Sequence, residues 1–184
     1  MTFIPPRQNR SVLFLQRLDE LNQIIWEPAA GDGAMAEQIS LAGYPVIASD
    51  LVDRGYQPAI IKNFYGFDSP CSPVIITNPP FCECNKDPGW VRFALEILKV
   101  DYMALLLPFS WPGAAKERGR LWADYPPARI YLMRWRIDFT GQGAPPMLNA
   151  WFVWEHGHKG SPLLHMLDKP ADRFQQNLFM ETTQ

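Results

Sequence analysis

Short apolar runs alternate with helix-forming stretches along most of this sequence, and that alternation restricts the fold more than any other feature. Ile24-Ile25-Trp26, Val46-Ile47-Ala48-Ser49-Asp50, residues 59–62, Val74-Ile75-Ile76-Thr77, and residues 103–107, 130–133 and 150–154 each read as a strand. Between them, residues 34–42 are strong helix formers halted by Gly43, and residues 88–100 and 113–123 also suit helices. Residues 11–23 carry apolar side chains at 12, 14, 15, 18 and 21, the spacing of an amphipathic helix. Strands separated by helices bury both faces of a parallel, doubly wound sheet. The expectation is one α/β domain over residues 1–184. It has an N-terminal helical segment (1–23), a core (24–158) and a peripheral polar tail (159–184).

Composition narrows the class. The 184 residues hold 17 Lys and Arg against 19 Asp and Glu, so the chain is no polycationic coat for nucleic acid. With 47% hydrophobic and 20% charged residues it is not a disordered chain. No apolar run approaches the ~20 residues of a membrane span, and the start lacks a signal-peptide pattern. Three cysteines cannot build a secreted disulfide framework. The expected compartment is the cytoplasm. Eighteen scattered prolines read as rigid turns between short elements.

Two strand ends carry chemistry. Glu27-Pro28-Ala29-Ala30-Gly31-Asp32-Gly33 joins the first strand to a helix, where small residues let the backbone approach a ligand. Asp50 ends the next strand, seventeen residues after Gly33, placed to accept hydrogen bonds from ribose hydroxyls. The loop is not a GxGxxG fingerprint, and Glu27 and Asp32 would repel a pyrophosphate. They suit a nucleoside-type cofactor with a cationic amino-acid portion. At the second strand end, Asn78-Pro79-Pro80-Phe81 makes a stiff turn whose prolines free backbone carbonyls. Asn78 adds a side-chain acceptor and Phe81 a flat apolar face. Such a turn receives a planar group bearing an exocyclic amine.

Together these residues resemble the class I S-adenosylmethionine-dependent methyltransferases, in particular those acting on adenine N6. Glu27 to Gly33 is similar to the family's first cofactor motif, Asp50 to its ribose-binding acid, and Asn78-Pro79-Pro80-Phe81 to its catalytic (D/N)PP(Y/F/W) motif. The resemblance implies that Glu27, Pro28, Ala29, Gly31, Asp32, Gly33, Asp50, Leu51, Asn63 and Phe64 hold S-adenosylmethionine. In it, Asn63 and Phe64 flank the cofactor adenine, and Pro5 and Pro6 belong to a further cofactor contact. It also implies a Rossmann-like sheet of seven strands, the last antiparallel. Leu105-Leu106-Leu107-Pro108 and Trp151-Phe152-Val153-Trp154 are similar to small phage-type DNA adenine methyltransferases.

The implied activity is methyl transfer to adenine N6 of DNA, with the base flipped out or single-stranded. The amine would donate to Asn78 and the Pro79 carbonyl while the ring stacks on Phe81. A ribosomal RNA base (adenine N6 or guanine N2), a protein glutamine and an inactive cofactor-binding subunit stay open as alternatives. The chain has no room for a separate target-recognition domain, so a protein partner or second copy could supply specificity. Residues 82–90 and 139–147 are the expected substrate-facing segments.

Other signals are weaker. Cys82-Glu83-Cys84 lacks further ligands at zinc spacing and reads as ordinary cysteines, so no metal is expected. His156 and His158 read as a solvated turn, and Trp151 to Trp154 as core strand. Residues 110–136 hold six basic and two acidic residues, which suits either phosphate contacts or a solvated face.

Overall fold

The computed structural model describes residues 23–86, 88–113, 116–137 and 146–168. The expected helix over 11–23, the Pro5–Pro6 contact, most of 139–147 and the end of the tail lie outside them. The chain runs β1 (Ile25–Glu27), α1 (Ala34–Leu41), β2 (Val46–Asp50), β3 (Ile60–Ile61), a 3₁₀ turn (Phe64–Gly66) and β4 (Val74–Thr77). It continues through α2 (Phe81–Cys84), α3 (Trp90–Arg92), which runs on as a π-helical stretch (Phe93–Ile97), and β5 (Tyr102–Pro108). Then come α4 (Lys116–Asp124), β6 (Arg129–Met133), β7 (Asn149–Glu155) and β8 (Leu163–Leu167).

One sheet of eight strands results, in the order β3-β2-β1-β4-β5-β7-β6-β8. β7 is antiparallel to both of its neighbours, and every other pairing is parallel. The chain lays down β1, β2 and β3 in one direction, then returns to place β4 on the other side of β1. That reversal is the switch point where open α/β sheets bind ligands, beyond the carboxyl ends of their strands.

The sheet is longer than expected. Among the described residues it has eight strands rather than seven: the seventh is antiparallel, as expected of the last strand, and an eighth follows, parallel to its neighbour. The additional strand, β8, comes from the stretch expected to be a peripheral tail. It pairs with β6 along Arg129–Met133, buries Leu167 and stacks His165 on Tyr131 with ring centroids 5.0 Å apart. Its remaining residues are largely exposed, as on an edge, although Leu163, Leu164 and Met166 are apolar; polar residues on either side of this short run give the segment its polar look. Pro108, expected to stop the fifth strand, instead forms its last rung, opposite Asn149.

Each face of the sheet has its own core. Side chains alternate along a strand, so Trp26, Ile75, Met103, Leu105, Leu107, Ala150 and Phe152 form one layer with Phe64, Trp90 and Val91. Ile25, Val74, Ile76, Ala104, Leu106, Trp151 and Val153 form the other, under Met35 and Ile39 of α1. Helix α1 follows from Ala, Met, Glu, Gln and Leu in succession. It ends at Gly43, which takes a φ of 94° and donates to the Ser40 carbonyl, while Tyr44 donates to that of Ile39.

Candidate functional site

Glu27 ends β1 at the switch point with only 1% of its surface exposed. One of its oxygens is bonded by the Ala36 backbone N–H, and Oε2 has no partner. A buried acceptor left unpaired costs about 1–3 kcal/mol. Desolvation pushes the Glu27 carboxyl well above its ordinary range, and the nearby Asp32 and Asp50 push the same way.

The chain after Glu27 is pinned to β2. The Ala30 N–H donates to the Ser49 carbonyl at 3.0 Å, and the Gly31 N–H to Asp50 Oδ2 at 2.8 Å. Asp50 Oδ1 takes the Val52 N–H at 2.9 Å and faces the Arg54 guanidinium at 3.8 Å. An ionised carboxylate has about four acceptor positions. Asp50 therefore secures the loop and keeps capacity for further donors. Gly31 and Gly33 sit at φ 59° and 82°, in the left-handed region that favours glycine. At Gly33 a Cβ would lie 2.1 Å from the Tyr56 ring, so this position also needs the absent side chain. Asp32 is exposed and accepts the Ala34 N–H at 3.2 Å, helping to start α1. Pro28 is buried, Ala29 half-buried, and Leu51 is exposed beside Asp50.

Beyond β4, Asn78 is half-buried, Pro79 buried and Pro80 exposed. The Pro80 carbonyl accepts the Glu83 N–H at 2.9 Å, so the turn closes into α2, with Phe81 half-buried at its start. Asn78 Oδ1 is out of solvent and has no partner. Alternation puts Glu27 on the face of Ile25, and Asn78 on the face of Val74 and Ile76. The two orphaned acceptors thus lie at the carboxyl ends of adjacent strands, Glu27 as the last residue of β1 and Asn78 just after β4, on the α1 side of the sheet.

Asn63 and Phe64 do not share a role. Asn63 is exposed, and its Oδ1 accepts the Tyr65 N–H at 3.0 Å. Phe64 is buried and stacks on Trp90 with ring centroids 3.9 Å apart. A groove of about 400 Å³ lies near the predicted 82–90 segment, lined in part by Tyr65, Gly89, Arg92 and Phe93. Of the basic residues in 110–136, half-buried Arg129 pairs with Glu155 and exposed Arg134 with Asp168. Cys82 is exposed and Cys84 buried.

Sequence reasoning passed over Asn149. It is fully buried, and both atoms of its amide lack partners. The available signal was one polar residue opening an otherwise apolar strand. Thr77 Oγ1 and Trp111 Nε1 are likewise buried and unpartnered. Among the described residues, no helix is long and apolar enough to cross a membrane.

No protein-family profile matches this sequence, and no curated protein does. Solved structures match the fold. PH1948 from Pyrococcus horikoshii, described as an RNA methyltransferase, is 15% identical over 78% of this chain and 79% of its own, with a TM-score of 0.57. A protein of Vibrio vulnificus YJ016, described as the modification subunit of a type I restriction enzyme, is 12% identical over 98% of this chain, with a TM-score of 0.60. This chain shares the fold of these proteins. It spans only 52% of the Vibrio subunit. The S-adenosylmethionine-dependent O-methyltransferase TM0748 of Thermotoga maritima, 14% identical over 88% of this chain and 69% of its own, has a TM-score of 0.51.

Proposed function

We propose that the protein binds S-adenosylmethionine and methylates the N6 amine of adenine in DNA, acting on a flipped or single-stranded base. One observation carries the reading: Asn78 Oδ1 is a buried acceptor with no protein donor, held by a Pro-Pro turn at the sheet's switch point. An exocyclic amine brings the missing donor.

The residues present fit the cofactor. Glu27 Oε2 lacks a partner that an ammonium group supplies, and the acids around it disfavour a phosphate. Asp50 has acceptor capacity for ribose hydroxyls, and exposed Leu51 offers an apolar surface to a ring. When bound, S-adenosylmethionine supplies a methyl group already activated by its sulfonium. Pro28, Ala29 and the glycines at 31 and 33 shape the backbone around it. Phe64 packs on Trp26, the residue before Glu27, and Asn63 caps the turn that carries it, which puts both beside the proposed cofactor loop.

For the acceptor, Asn78 Oδ1 and the Pro79 carbonyl take the two amine protons, and Phe81 lies against the ring. An aryl amine is a poor nucleophile because its lone pair is delocalised into the ring. Two acceptors on its protons favour a pyramidal nitrogen, and alignment does most of the remaining work. The amine proton leaves to solvent after transfer.

The test is labelled methyl transfer to duplex DNA, single-stranded DNA, ribosomal RNA and a glutamine peptide, with digestion to identify the product. N6-methyladenine from DNA supports the reading. Label in RNA alone keeps the site and changes the substrate, in line with the fold shared with PH1948. No label anywhere, with cofactor binding intact, points to a subunit that needs a partner, as the half-length match to the Vibrio subunit would suit.

A further inference from the structure

Asn149 opens β7, and because β7 is antiparallel its first residue lies at the same carboxyl edge as Glu27 and Asn78. Residues opposite one another on antiparallel strands share a face. Asn149 faces Pro108, Trp151 faces Leu106, and Val153 faces Ala104. The latter two pairs belong to the core under α1, so Asn149 projects on the face that holds Glu27 and Asn78. Only β5 separates β4 from β7. Strand spacing puts Asn149 roughly 10 Å across the sheet from Asn78, and the rise per residue puts it roughly 7 Å further along. Two asparagine side chains and a purine between them span such a gap.

The amide is wholly out of solvent, and neither its two N–H donors nor its carbonyl finds a partner. Buried side-chain amides are almost always hydrogen-bonded, so one with every valence open calls for a ligand. An apolar side chain of the same size would serve packing alone.

We propose that Asn149 is a recognition residue for the acceptor base, its Nδ2–H donating to a ring nitrogen of adenine while Asn78 holds the amine. This rests on the adenine reading above and names the second edge by which the base is read. Adenine presents ring acceptors on both sides of its amine, N1 and N7. Asn149 is fully enclosed, so this contact requires the surrounding edge to yield as the base enters.

The experiment compares the full-length wild type with Asn149→Leu on oligonucleotides carrying adenine, 1-deazaadenine or 7-deazaadenine at the target. Cofactor affinity and Tm are measured alongside. The expected result is a fall in kcat/KM on adenine on the order of 10- to 100-fold. On the deaza analogue lacking the contacted nitrogen, wild type and variant should be equally slow. Cofactor affinity should stay within about twofold and Tm should hold or rise, since an apolar isostere relieves an unpaired amide. Equal losses on all three bases, or a collapse in Tm, would make the amide structural and overturn the proposal. Asn149→Ala repeats the comparison if the Leu side chain overpacks the site. A wild type that methylates no adenine removes the functional reading and this proposal together. Adenine transfer that ignores both substitutions removes this proposal alone.

Discussion

Under the proposed function, three side chains at the sheet edge divide the work, and each gives a separable prediction. Burial raises the Glu27 carboxyl well above its ordinary range. A carboxyl with a raised folded value binds its proton more tightly folded than unfolded. Its penalty on stability is absent below the ordinary value of about 4.5, grows as pH rises towards the folded value, and is complete above it. Glu27→Gln should raise the Tm at pH 7 and flatten its dependence on pH. It should also weaken S-adenosylmethionine binding by roughly 10- to 100-fold, the worth of a hydrogen bond to a charged group. Thermal unfolding across a pH series and calorimetry read both. Asn78→Ala should abolish transfer and leave cofactor affinity within about twofold, because its orphaned oxygen serves the acceptor. Asp50→Ala should do the reverse, weakening cofactor binding, and should also lower Tm, since Gly31 and Val52 lose their acceptor. An Asp50→Ala variant with unchanged Tm would contradict the pinning role.

Among the elements, the loop between β1 and α1 depends most on a single residue. Gly33→Ala meets both a positive φ and the Tyr56 ring. The backbone conformation alone costs about 1–2 kcal/mol, so a Tm loss of several degrees is expected in a domain of this size. β8 allows a second test. Truncation after residue 158 strips β6 of its outer partner and uncovers the Tyr131 face, which should lower Tm and promote association through the exposed edge. The sequence made some elements plain and hid others. β2, β4, β5 and β7 are apolar runs bounded by turns, so their places were legible. β8 was not, because its short run Leu163–Leu167 sits inside a polar stretch and shows no alternation of apolar and polar residues. The π-helical turn at Phe93–Ile97 was also invisible, since its apolar spacing matches an ordinary helix. In the site, the loop, Asp50 and the Pro-Pro turn carry local signatures of turn chemistry. Phe64 and Asn149 do not. Whether Phe64 enters the core depends on Trp90, twenty-six residues later, and Asn149 acquires its meaning only when β7 folds back antiparallel beside β5.

At the scale of the whole molecule, sheet order brings the chemistry together. The reversal from β3 to β4 sets the acid of one strand beside the Pro-Pro turn of another, and the antiparallel β7 adds an amide to the same edge. The described chain holds this one sheet and its flanking helices, and the fold it shares with the Vibrio subunit spans only half of that protein. The most direct test of the account is the modified nucleoside itself. The protein is incubated with labelled S-adenosylmethionine and with duplex and single-stranded DNA, and the digested product is identified. N6-methyladenine that disappears in Asn78→Ala, with cofactor binding retained, is the predicted result. Undiminished transfer by Asn78→Ala would contradict it.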